Sequence, residues 1–177
     1  MTPTEIALSL VGSGVYELGT GDCDTPRGAA SDCAGFAICR CHDLRRHRPG
    51  FNRGAWASVS DDINCNSAIE DADHKGELFE RVTIPEPGDL LTYPSFISGG
   101  KHFIGHVAIV TRVPPGWKAE DHWADLTVVQ CCGPNGRRPG IIRTDASHWD
   151  QHDQTWPLPQ HRTALLRVKT PTPRQPP

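Results

Sequence analysis

The chain has 177 residues, a length that suits one domain. Hydrophobic residues make up 37% and charged residues 22%, which is enough for one modest core and unlike a disordered chain. The formal net charge of -3 supplies no global basic field, which argues against a nucleic-acid partner.

No apolar run is long enough to span a bilayer, so no membrane partner is expected. The stretch MTPTEIALSLVGSG has no basic start and only a short apolar segment. It does not read as a signal peptide, and synthesis in the cytoplasm is the expectation. Seven cysteines are an odd number, and thiols stay reduced in the cytosol, so a disulfide scaffold is not expected.

In chain order, residues 3–11 predict a short amphipathic helix, with Ile6, Ala7, Leu10 and Val11 at helical spacing. Thr2 caps it, Pro3 takes the first helical position, and Glu5 completes a capping box. A glycine-rich loop then runs to Ala30. A second helix is predicted from Ser31 or Asp32 to about Leu44, with Phe36, Ala37, Arg40 and Leu44 on one face. The basic run Arg45–Arg48 and Pro49-Gly50 end it. A helical turn or two is expected around Ser58–Asp71.

From Val82 the texture turns to strands, with candidates at Asp89–Tyr93, Phe103–Arg112, Leu126–Cys132, Gly140–Arg143 and Ala164–Lys169. Pro114-Pro115-Gly116 and Gly133-Pro134-Asn135-Gly136 read as turns between them. Helices first and strands later predict an α+β fold with an antiparallel sheet. One domain over residues 1–170 and a disordered, proline-rich tail over 171–177 are expected.

Two residues carry candidate chemistry. Ser31-Asp32-Cys33-Ala34-Gly35-Phe36 joins the glycine-rich loop to a helix, which places Cys33 in the first helical turn. Free backbone N–H groups and the helix dipole favour an anion there, and the thiolate is the reactive form of cysteine. His106 sits within the apolar run Phe103–Val110, where a polar ring needs partners, and Gly105 beside it permits close approach. A thiol on a helix facing a histidine on a strand makes an activated nucleophile. Against this stand an inert buried thiol and a core histidine bonded to backbone.

Cys39-Arg40-Cys41-His42 invites a zinc reading. Helical positions two apart do not face each other, and no C-x-x-C pair exists in the chain, so no metal and no cofactor are expected.

Four motifs occur in order. Gly14-Val15-Tyr16-Glu17-Leu18-Gly19 is similar to a G-x-x-Y-x-x-G segment, one residue shorter. Asp32-Cys33-Ala34-Gly35-Phe36 resembles a D-C-S-G-F/L/V nucleophile motif, with Ala34 in place of Ser. Pro87-Gly88-Asp89-Leu90-Leu91 resembles a P-G-D-L strand start, and Gly105–Val110 resembles a G-H-V-G/A-I-V histidine strand. The ordered set resembles the NlpC-type and CHAP-like papain-fold cysteine peptidases. It spans most of the chain, from about Gly14 to Cys132.

The resemblance implies a papain-like fold, its N-terminal helices packed on an antiparallel sheet. It implies a thiol hydrolase that cuts an amide bond of bacterial peptidoglycan through a Cys33 thioester, as stem-peptide endopeptidase or amidase. Cys33 and His106 would be nucleophile and base. Gln130 falls where the family carries its third polar residue, with Asn135 in reserve. Tyr16 and Asp32 complete the candidate substrate- and oxyanion-contacting residues. Arg137 and Arg138 are candidates for substrate carboxylates. A phage lysis protein or an antibacterial effector would fit, delivered to the periplasm or cell wall and met by an immunity or delivery protein. The rival readings are a non-catalytic wall-binding or assembly module, a papain-like acyltransferase, and a metal or redox protein using the remaining cysteines.

Overall fold

A computed structural model describes residues 1–17, 30–42, 64–76, 78–118, 121–133, 140–159 and 162–169. The predicted end of the second helix, Asn135, Arg137, Arg138 and the tail lie outside the described residues.

The fold is α+β. Helix α1 (Pro3–Ser9) opens it, with Thr2 and Glu5 forming the predicted capping box and Pro3 in the first turn. Helix α2 covers residues 33–41, of which Gly35–Cys41 are wound as π turns. Helix α3 (Cys65–Glu70) is capped reciprocally by Asn64 and Ser67 and continues as π turns over Asp71–Lys75. Helix α4 (Ser147–Thr155) comes late, among the strands.

The strands are β1 (Val15–Tyr16), β2 (Ala30–Ser31), β3 (Phe79–Arg81), β4 (Leu90–Tyr93), β5 (Phe96–Ser98), β6 (Lys101–Phe103), β7 (His106–Arg112), β8 (Thr127–Cys131), β9 (Ile141–Asp145) and β10 (Ala164–Val168). Six of them form one antiparallel sheet in the order β3-β10-β4-β7-β8-β9. Strands β1 and β2 form a short parallel pair, and β5 and β6 a hairpin.

The predicted strand Phe103–Arg112 is broken at Ile104-Gly105. Gly105 explains the break. A Cβ on it would lie 2.7 Å from the Ser95 nitrogen and 2.8 Å from the Tyr93 carbonyl oxygen, so only glycine lets the chain cross here. The hairpin therefore folds away on its own, and β7 starts afresh at His106.

Side chains alternate across the sheet, and the core is accordingly double. Leu90, Val107, Ile109, Val129 and Cys131 pack with α1, α2 and Cys65. Leu91, Tyr93, Ala108, Val110 and Val128 pack with Trp117, Leu126, Ala146 and Trp149. Helix α2 is buried all round, from Cys33 to Cys41, where a single buried face was predicted. A helix with apolar residues on every side belongs in an interior.

The motif Pro87-Gly88-Asp89 sets the register of β4. Gly88 adopts φ 106, a conformation glycine tolerates, and its N–H donates to the Val110 carbonyl at 2.8 Å. The buried Asp89 carboxylate accepts two bonds from Arg167 on β10, Nε at 2.9 Å and Nη2 at 2.8 Å. It also accepts the Glu86 N–H at 2.7 Å. This planar pairing ties the start of β4 to its neighbour. Asp89 is thus structural. Among the described residues, no helix is long and apolar enough to cross a membrane.

Candidate active site

Cys33 stands at the first position of α2. The Asp32 side chain accepts the Gly35 N–H at 2.8 Å, and its carbonyl accepts the Phe36 N–H at 3.0 Å. Asp32 is the helix cap. The cap is the role its geometry shows. The Cys33 N–H has no acceptor within the helix and faces outward with the dipole.

The thiol is 5% exposed and lies 4.0 Å from the Gly105 carbonyl oxygen. Its pKa is held well below the ordinary 9.0. The Cys65 thiol donates a hydrogen bond to it; burial opposes; the charge and hydrogen bond of His106 and the Val107 N–H lower it further. Cys65 is correspondingly raised by its bond to the Cys33 sulfur and by burial. Both thiols stand at helix starts, and the imidazole beside Cys33 is what places the negative charge on Cys33.

His106 opens β7 opposite Tyr93 on β4. Its Nε2 donates to the Gln130 Oε1 at 2.5 Å. An amide oxygen only accepts, so Nε2 carries the proton and Nδ1 is left for Cys33. Burial works against protonation of the ring. The charge of Cys33 and the hydrogen bonds to Cys33 and Gln130 outweigh it, and the pKa is raised. Gln130 lies on β8 opposite Ala108, so it shares the sheet face of His106 two residues away. The structure therefore joins His106 to Gln130 by a hydrogen bond and sets the His106 ring close enough to Cys33 for each to shift the other's titration.

Cys33 and His106 come from opposite faces of the sheet. Cys33 belongs to the cluster with Val107 and Val129, while His106 and Gln130 have the parity of Ala108 and Val128. They meet at the start of β7, beside the Gly105 carbonyl oxygen that lies 4.0 Å from the Cys33 sulfur. Trp149 of α4 covers the His106 ring, with centroids 5.5 Å apart and the planes tilted by 32°. It is fully buried and shields the His106–Gln130 bond.

Tyr16 lies beside this centre. It pairs with Ser31 through β1 and β2, and burial followed by the charges of Cys33 and Asp32 raises its pKa. The phenol thus stays protonated and is a donor. Cys131 donates from Sγ to the Ser31 carbonyl at 3.2 Å, and burial pushes its thiol up to about 12. It fills core space beside the nucleophile. Cys41 is raised to about 12 by burial as well.

Three neighbours of the site escaped the sequence reading. Cys65 follows the cap Asn64 as Cys33 follows Asp32, and that repeated pattern was the available signal. Trp149 and His148 sit on α4, whose polar sequence SHWDQHDQT carries almost no apolar periodicity. Cys39 is disulfide-bonded, which departs from the expectation of reduced thiols. Among the described residues, no cluster of three or more His, Cys, Asp or Glu is arranged to hold a metal ion.

Compared with known proteins, the chain matches no family model, no curated protein and no solved structure.

Proposed function

We propose that the protein is a papain-like, NlpC-type cysteine hydrolase that cleaves an amide bond of bacterial peptidoglycan. The observation that carries the reading is the His106 ring, held by Gln130 at Nε2 and turned toward a thiol at a helix start. The peptidoglycan substrate is supported by the four ordered motifs. The papain-like fold is supported by a buried cysteine helix packed on an antiparallel sheet that supplies base and orienter.

In the proposed reaction the Cys33 thiolate attacks the amide carbonyl carbon. The Cys33 N–H and the Tyr16 hydroxyl donate to the resulting oxyanion. The imidazolium of His106 protonates the leaving nitrogen, the C–N bond breaks, and a thioester remains on Cys33. Neutral His106 then takes a proton from water, whose oxygen attacks the thioester and releases the acid and the thiolate. Gln130 holds the ring in its working tautomer throughout.

Delivery from the producing cytoplasm to a target cell wall belongs to the same proposal, with a phage particle or a secretion route as carrier. The test is digestion of purified peptidoglycan by the wild type and by Cys33→Ala, with the fragments identified by mass. The wild type is expected to release fragments with a new amine and a new carboxylate, and Cys33→Ala none. Equal release by both proteins would refute the thiol mechanism.

A further inference from the structure

Beyond His106, on the α4 face of the sheet, the structure has a cavity of about 300 Å³. That is the low end of the range for ligand pockets and has room for a single ring. Its walls are Tyr93, Phe96, Phe103 and Trp156, with His148 and Gln151 among its polar groups.

The aromatic walls form a rigid block. Phe96 and Phe103 stack with centroids 5.1 Å apart, and Trp156 meets them at 4.9 and 4.5 Å. All three are partly exposed, whereas Trp149 behind the cavity is fully buried. All three line the cavity together with Ile104, which is 49% exposed.

Among the described residues, no Asp, Glu, Lys or Arg lines the cavity. The Tyr93 hydroxyl is hydrogen-bonded to His148 Nε2 at 2.7 Å. Burial and the neighbouring His106 and His152 hold the His148 pKa below its ordinary value, so the ring is neutral at pH 7. The lining offers aromatic faces together with uncharged donors and acceptors. A carboxylate or an ammonium group would lose hydration here with no counter-charge. A purely apolar side chain would leave the polar lining unpaired.

An uncharged pyranose satisfies both halves of this lining. Its C–H face stacks on aromatic rings and its hydroxyl or acetamide groups meet the neutral polar side chains. The cavity adjoins the reaction centre, since the His148 ring lies 6.0 Å and the Tyr93 ring 6.2 Å from that of His106. We infer that this cavity is a saccharide subsite, which seats one sugar ring of the glycan next to the scissile amide. The claim that the sugar belongs to the substrate rests on the proposed peptidoglycan reading. The binding itself does not.

Calorimetric titration with chitotetraose, and separately with L-phenylalaninamide, tests it on the whole protein. Chitotetraose is expected to bind saturably and phenylalaninamide not at all. Trp156→Ala is expected to weaken chitotetraose binding about tenfold, the loss of one aromatic stacking partner. Gln151→Ala, at an exposed helix position, guards against a Trp156 variant that misfolds, and a several-fold loss is expected. Phenylalaninamide binding in place of chitotetraose, or chitotetraose binding that both variants leave unchanged, would overturn the assignment. Chitotetraose binding with an unreactive Cys33 supports the subsite and removes the hydrolase reading. A reactive Cys33 without chitotetraose binding removes the subsite and leaves the hydrolase.

Discussion

On one face of the sheet, Leu90, Val107, Ile109, Val129 and Cys131 meet Phe36 and the small and aliphatic side chains of α1 and α2. On the other, Leu91, Tyr93, Ala108, Val110 and Val128 meet tryptophans and a polar helix. The first face is joined by dispersion and burial, with a helix that has no wet side. The second is joined by aromatic area and by carboxylates. Asp150 accepts the Trp123 and Ala124 N–H groups at 3.0 and 2.8 Å, and Asp153 accepts the Trp123 Nε1–H and the Thr163 N–H at 3.0 and 2.8 Å. The difference teaches where the candidate chemistry comes from. The thiol face supplies the nucleophile and the aromatic face supplies the base, its orienter and its cover. Neither face holds a complete triad, so damage to either should be separable in experiment.

The sharpest break is on the thiol face. Cys33→Ala is expected to abolish turnover on peptidoglycan while the thermal unfolding midpoint moves little, because Ala fills the same helix position. A folded variant with residual turnover would transfer the nucleophile elsewhere. On the aromatic face, Trp149→Ala is expected to cost about 3–5 kcal/mol of stability, as for other buried large-to-small changes. Denaturant titration measures it. Iodoacetamide labelling of Cys33 should persist in the fraction that stays folded, and its loss there would mean that the two faces do not separate.

The same contrast explains what the sequence makes legible. Helix α1, the Asp32 cap and strands β4, β7, β8, β9 and β10 follow from capping residues and apolar runs that are local signals. The approach of Gln130 to His106 follows from motif order and from alternation along β8. Helix α4 was not, because its sequence buries only Trp149 and His152 and is otherwise polar. It is held by Asp150 and Asp153 acting at a distance, which no local window registers. The apolar run Phe103–Arg112 joins the end of β6 to β7, and nothing in the sequence marks β5, since the steric demand at Gly105 arises from Tyr93, Pro94 and Ser95 on another segment. The Cys33–Cys65 bond is likewise a tertiary fact.

Gln130→Ala cuts the link between the base and its own face. The neutral orienter is expected to matter less than the nucleophile. The expected loss is about one to two powers of ten in kcat, or roughly 1.4–2.7 kcal/mol in barrier. A matched unfolding measurement separates this from instability. Gln130→His, which keeps a hydrogen-bonding ring, is expected to retain part of the activity. Full activity in a folded Gln130→Ala would remove Gln130 from the mechanism.

The smallest effect tests the thiol face alone. Cys65 donates to the Cys33 sulfur, and that bond favours the thiolate. A hydrogen bond to a charged group is worth more than one to a neutral partner, but S–H is a weak donor. Removing it by Cys65→Ala is expected to raise the Cys33 pKa. The direction is fixed by the sign of the native shift. Cys33 lies below its ordinary 9.0, so its thiolate persists as pH falls below 9 and is lost only through the depressed value. The stability that the thiolate contributes is present above pH 9 and disappears over the same descent. His106 is shifted upward, so its proton persists above the ordinary 6.5 and is lost as pH rises through the higher value. The thiolate–imidazolium pair is therefore bounded by Cys33 on the acid side and His106 on the alkaline side. Cys65→Ala should move only the acid limb of the pH profile for mass-mapped iodoacetamide labelling of Cys33, and should move it upward. Cys65→Ser, which keeps a donor, should restore most of the native profile. An acid limb unmoved in Cys65→Ala would leave the helix start and His106 as the sole tuning of Cys33. Movement of both limbs would mean that the disturbance crosses the sheet and that the two faces act as one.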